Sequence, residues 1–235
     1  MRAELLKLRT LPTPRWTALG TLGVLAVTIV IGIFSGVGPV DDAALALGAE
    51  LPTAVAAVIL GTWIVGVEYG QNTMHRTLTA EPRRIRLIAA KAAAGLIATL
   101  ALTALVFAIA AATLPAIAGA HDQTLTAETV MRHGVAALIA NGALGLLATG
   151  IGLLVRSMAG AVTIALVWAF VIDSALTAVP RAGEWTGQNA SFELWEVITQ
   201  QPGADVDVLR ASLVLVAWVG AFLLAGGLNF VRRDA

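Results

Sequence analysis

The chain has 235 residues, of which 58% are hydrophobic and 13% charged, and its mean hydropathy is +0.84. A soluble domain is about 45–50% apolar and about 25% charged, so the composition excludes a disordered chain and argues against a soluble enzyme. Net charge is zero, from 15 basic and 15 acidic residues, and cysteine is absent, which excludes disulfides, thiolate metal sites and cysteine nucleophiles.

In chain order, residues 2–11 read as a short amphipathic helix, with Leu5, Leu8 and Leu11 near one face and basic residues elsewhere. Pro12 and Pro14 are expected to end it, so that residues 1–16 form a basic N-terminus lying at the membrane interface. Six apolar stretches follow, at 17–37, 51–67, 87–114, 130–155, 159–179 and 209–231. Each matches, or nearly matches, the roughly 20 residues that carry a helix across a hydrocarbon core of about 30 Å. Lipid leaves no backbone group unpaired, so helix is the expected state. The fold class is therefore an all-α integral membrane protein with one domain and six transmembrane helices. Ala44-Leu45-Ala46 loosely fits a signal-cleavage site, but the run before it is long for a signal segment and five more spans follow.

Charge placement gives the orientation. Twelve of the 15 basic residues fall in the N-terminus, the second and fourth loops and the tail, while ten acids fall in the alternate loops. With an even span count, that bias places both termini in the cytoplasm. In the third loop, 115–129, Thr126 can cap the next helix, with Glu128 in its first turn. The longest outer segment, 180–208, carries Trp185, Phe192 and Trp195. There Ser191 can cap a short helix, either interfacial or part of a folded surface loop.

The chemistry-bearing motifs are mostly missing. No Walker A run, G-x-S-x-G or H-E-x-x-H occurs, and Gly150-x-Gly152 has Val155 in place of the last dinucleotide glycine. His121, Asp122, Glu128 and His133 share a side, but their spacing has no metal-ligand logic. Asp173 is the only acid placed well within a span, and such a residue defaults to function. It either lines a wet path, pairs with an outer arginine such as Arg181, or sits solvated at the interface. Asn141 is a second pathway candidate, with interhelix hydrogen bonding as its alternative, and Asn229 is read the same way. Gly32-xxx-Gly36 and Gly66-xxx-Gly70 allow close helix approach.

The second loop is the informative one. It runs Glu68-Tyr69-Gly70-Gln71-Asn72-Thr73-Met74-His75-Arg76-Thr77-Leu78-Thr79-Ala80-Glu81-Pro82-Arg83-Arg84 and on to Lys91. Asn72 or Thr73 can cap a helix of about two turns over 73–81, and Pro82 stops it. Met74 and Leu78 then become available to a partner's groove, with basic residues beside them. The residues alone equally allow a basic loop that only fixes topology and touches anionic lipid.

This segment resembles the cytoplasmic loop between the second and third spans of ABC-2-class permeases, the membrane subunits of bacterial ATP-binding-cassette exporters. That family's pattern is an acid ending the second span, G-T-x-R-x-x-L, a proline with nearby arginine, and a lysine entering the third span. Glu68, Thr73, Leu78, Pro82, Arg84 and Lys91 match it; Asn72 stands where glycine is usual, and His75 stands where arginine is usual, with Arg76 next to it. The N-terminal segment is similar to the family's elbow helix, Leu154-Val155-Arg156-Ser157 to its fourth-loop turn, and 180–208 to its outer helices. Asp173 falls where many high-GC relatives carry an acid.

The resemblance implies a permease without a catalytic site. It implies a homo- or heterodimer of permease subunits in the bacterial inner membrane and a pair of cytosolic ATPases holding ATP and Mg. The coupling residues it implies are Glu68, Thr73, Met74, His75, Arg76, Leu78, Pro82, Arg84 and Lys91. Spans with so few polar groups favour a hydrophobic or amphipathic cargo, such as an antibiotic, a peptide or a lipid. Two further classes stay open: an ATP-independent channel or carrier, and a membrane scaffold that recruits a cytosolic partner.

Overall fold

The computed structural model describes residues 4, 6–7, 10–34, 46–80, 83–120, 125–155, 157–203 and 205–233. Among them no strand occurs, and six helices are long and apolar enough to cross a membrane. Gly36, His121, Asp122, Glu81, Pro82 and Arg156 lie outside the described residues.

Helix α1 runs Pro12–Phe34. Its first residue is a proline, whose missing N–H falls among donors that a helix start leaves unpaired anyway. Leu11 forms the bend before it, and its N–H donates to Lys7 O at 3.0 Å. The helix thus starts at Pro12, five residues before the apolar stretch, because prolines begin a helix as well as ending one. Helix α2, Leu51–Gly70, follows a π-helical turn at Ala46–Glu50. A seven-residue helix α3, Met74–Ala80, leads to α4, Arg84–Ala120, whose 37 residues extend about 55 Å. Helix α4 passes through Pro115, where the sequence placed a loop. A membrane helix tolerates an internal proline when neighbouring groups satisfy the freed carbonyl.

Helix α5 spans Ala127–Leu154; Thr126 caps it, accepting from Thr129 N–H at 3.1 Å, with Glu128 in the first turn. Helix α6, Met158–Thr177, contains a π-helical stretch at Trp168–Ile172. Helix α7, Gly187–Thr199, is capped by Thr186 and not by Ser191. Thr186 has the extended backbone a cap needs, whereas Ser191 lies inside the helix and donates to Gly187 O at 2.9 Å. Helix α8 is Val208–Arg233.

Helix α5 is the hub, packing on α2, α4 and α8. Glycine pairs set these approaches. A Cβ on Gly61 would come 2.2 Å from Gly145 O, and one on Gly226 would come 2.3 Å from Gly150 O. Helices α2 and α5 are accordingly mostly enclosed, while α1, α6 and α8 present apolar faces outward. On α8 that face is the stripe Leu209, Leu213, Val216, Leu224 and Leu228, all exposed. Such a face is stable only against lipid or another protein surface.

Candidate functional site

The loop singled out in the sequence begins where α2 ends. Thr73 N–H donates to Glu68 O at 2.9 Å and Asn72 N–H to Tyr69 O at 3.3 Å. Asn72 has φ 52°. These are the two bonds and the left-handed residue of a Schellman stop. The position suits glycine, and asparagine is the next residue type that tolerates it. Asparagine in place of glycine at this position is therefore conservative in backbone terms. The stop turns the chain sharply, and α3 starts two residues later.

One side of α3 is already occupied. Met74 is buried and Leu78 is partly buried, and both pack on a cluster that includes Trp63, Ile64, Val67, Leu87, Leu153 and Phe230. This corrects the expectation that Met74 and Leu78 are free for a partner. An isolated two-turn helix cannot hold itself in water, so its apolar side anchors it to the bundle. His75, Arg76 and Thr79 form the exposed side. Thr73 is half-buried, and its carbonyl accepts from Thr77 N–H at 3.2 Å.

Behind α3 lies a buried ionic cluster. Lys91, fully buried in the second turn of α4, places Nζ 2.9 Å from Glu68 Oε1 and 3.6 Å from Glu4 Oε2. It also donates to Ile64 O at 3.1 Å. Lys7 donates to Glu68 and, at 3.1 Å, to Glu4 Oε1. Two carboxylates thus meet two ammonium groups, and the charges balance. Burial alone would lower the Lys7 pKa; its hydrogen bond to Glu68 and the charges of Glu68 and Glu4 outweigh that and hold it above the ordinary lysine value. The cluster fastens the N-terminal segment to α2 and α4 at the point where α2 turns into α3. Helical backbone is described at Glu4, Leu6, Lys7 and Thr10.

Arg84 plays a different part. Its Nη1 donates to Val231 O at 3.1 Å and Phe230 O at 3.4 Å, so it closes the carbonyl end of α8. Pro82, expected to end the short helix, lies outside the described residues.

The two pathway candidates sit away from this cluster. Asn141 is buried; its amide donates to Thr53 Oγ1 at 3.0 Å and Thr103 Oγ1 at 3.2 Å, joining α5 to α2 and α4. Asn229 likewise donates to Leu154 O at 3.3 Å. Asp173 is buried, and its Oδ2 accepts from Gln188 N–H at 2.7 Å in the first turn of α7. Arg181 is exposed, and no salt bridge joins it to Asp173. Neither the arginine pairing nor the solvated position considered from the sequence is therefore found.

Two groupings escaped the sequence reading. Glu4 and Lys7 were read as part of a basic terminus, although an acid and a lysine three apart are one helical turn from each other. At the opposite end, Glu50 Oε1 lies 2.7 Å from His133 Nδ1 and accepts from Trp195 Nε1 at 3.3 Å. The His133 and Trp195 rings meet edge-on at 5.3 Å. No sequence signal ties these three residues, which come from three separate elements. Among the described residues, no group of three or more potential ligands could hold a metal.

Compared with family models, curated proteins and solved structures, the chain matches none.

Proposed function

We propose that the chain is the permease subunit of a bacterial ATP-binding-cassette exporter of the ABC-2 class, driven by a separate ATPase. The observation that carries this reading is α3: a short helix between the second and third long helices, bound to the bundle by Met74 and Leu78 and turning His75, Arg76 and Thr79 outward. A helix held this firmly passes a push on its outer face into α2 and α4. ATP-driven movement of a docked ATPase then shifts the permease between two packings. Two such subunits, identical or related, would enclose the pathway in the cytoplasmic membrane, with both termini in the cytoplasm. This chain supplies no hydrolytic residue, and ATP and Mg belong to the partner. The cargo is hydrophobic or amphipathic, and efflux of an antibiotic is one role consistent with it.

The first test is affinity purification of the tagged chain from native membranes in mild detergent, followed by mass spectrometry. Stoichiometric recovery of a P-loop ATPase is expected. Repeated recovery of the chain alone, under conditions that preserve known complexes, defeats the reading in favour of a carrier or scaffold. The contact itself is tested with His75→Glu and Arg76→Glu together. This double variant should lose the ATPase while keeping its thermal stability, because both side chains are exposed; unchanged ATPase recovery would exclude α3 as the docking element.

A further inference from the structure

A cavity of about 160 Å³ lies among α5, α6, α7 and α8, at the α7 end of the bundle. Asn141, Trp168, Asp173, Gln188, Ser191 and Trp218 are among the residues that border it. Three features set it apart from a packing gap. First, Asp173 is only 7% exposed, and its described polar contacts are two backbone N–H groups in the first turn of α7, Gln188 on Oδ2 and Gly187. Its Oδ1 has no hydrogen-bond partner among the described residues. A buried carboxylate with one oxygen unpartnered and no cationic side chain bonded to it is costly, and an ionisable residue inside such a bundle is by default a functional candidate. Second, the lining is aromatic: the Trp168 and Trp218 rings are 5.3 Å apart, and Phe222 stacks on Trp218 and meets Trp168 edge-on. The Trp218 N–H already donates to Trp185 O at 2.8 Å, so what this indole has left for a ligand is π surface. Third, the wall at Trp168–Ile172 is π-helical, an irregularity that recurs at functional sites and here departs from α-helix beside the acid.

One negative charge, indole faces and an apolar lining together recognise an organic cation. Size narrows the class: an apolar cavity of about 150 Å³ accommodates benzene. We propose that this cavity binds a lipophilic organic cation with a headgroup the size of one aromatic ring or a quaternary ammonium. Asp173 supplies the counter-charge, and Trp168 and Trp218 supply the cation–π surface. Export of such a cation rests on the exporter reading above; binding does not.

The test is calorimetric titration of benzyltrimethylammonium into the purified chain in lipid nanodiscs with no ATPase present. Saturable binding at one site per chain is expected. Asp173→Asn should weaken it by about tenfold or more, and Asp173→Glu should restore most of it. Neopentylbenzene, the uncharged isostere, should bind about tenfold more weakly or worse. Ala143→Phe fills the cavity, leaves the carboxylate in place and should abolish binding, which decides the matter even if Asp173→Asn does not give monodisperse protein. No saturable binding to the unaltered chain, equal binding of the neutral isostere, or unchanged affinity in Ala143→Phe overturns the proposal. Because no ATPase takes part, that failure would leave the exporter reading intact, and failure to recover an ATPase would leave this one intact.

Discussion

Lys91 is the residue on which the ionic cluster turns. Fully buried, it neutralises Glu68 and Glu4 together and donates to a backbone carbonyl of α2. Truncating one partner of a buried ion pair costs about 3–5 kcal/mol, because the other charge stays behind uncompensated. Lys91→Met should therefore lower thermal stability in detergent sharply. Adding Glu68→Gln should recover part of the loss, since Lys7 can then balance Glu4. If the single variant melts with the parent protein, the cluster is ornamental. The Lys7 pKa is raised, so its ion pairs contribute fully below the ordinary lysine value of 10.5 and weaken only as pH climbs past it. Throughout the physiological range the N-terminal segment stays fastened.

At the scale of the element, the decisive feature is how α2 stops. Asn72 in the left-handed region, with its two Schellman bonds, aims α3 across the end of the bundle. A β-branched residue there costs about 1–2 kcal/mol and tilts the helix away from its apolar seat. Asn72→Val should lower thermal stability and weaken ATPase recovery together, whereas Asn72→Gly should preserve both. The loop was legible because its signals are local: a span that ends, a turn-forming asparagine and a short helical window. Which side of α3 is free was not legible. Met74 and Leu78 look like ligands for a partner until the buried cluster around Trp63 and Phe230 is in view. Pro115 misled for the same reason in reverse, since a local helix-breaker was overridden by a membrane-spanning context.

For the whole molecule, the charge bias makes a topological prediction that the bundle itself does not address. The chain lacks cysteine, so single cysteines report without background. Ala182→Cys, exposed at the α7 end, should react with a membrane-impermeant maleimide on intact cells. Thr79→Cys, exposed on α3, should react only after lysis. The reverse pattern would invert the protein in the membrane and remove α3 from the reach of any cytosolic ATPase.

Hydropathy and charge count determined the six long helices, because span length and lipid's intolerance of unpaired backbone are properties of composition along the chain. The same one-dimensional signals located the second loop and marked Asp173 as exceptional. Tertiary structure alone decided which charges meet. Glu4, Lys7, Glu68 and Lys91 converge across three segments, and Asp173 finds Gln188 in α7 rather than an arginine. Glycine contacts between α2, α5 and α8 likewise fix which faces close on one another and which remain for lipid or a partner. The physical reason is range. Helix formation and membrane partition are set by neighbours along the chain, whereas ion pairing, cavity shape and burial depend on residues that only folding brings within a few ångströms.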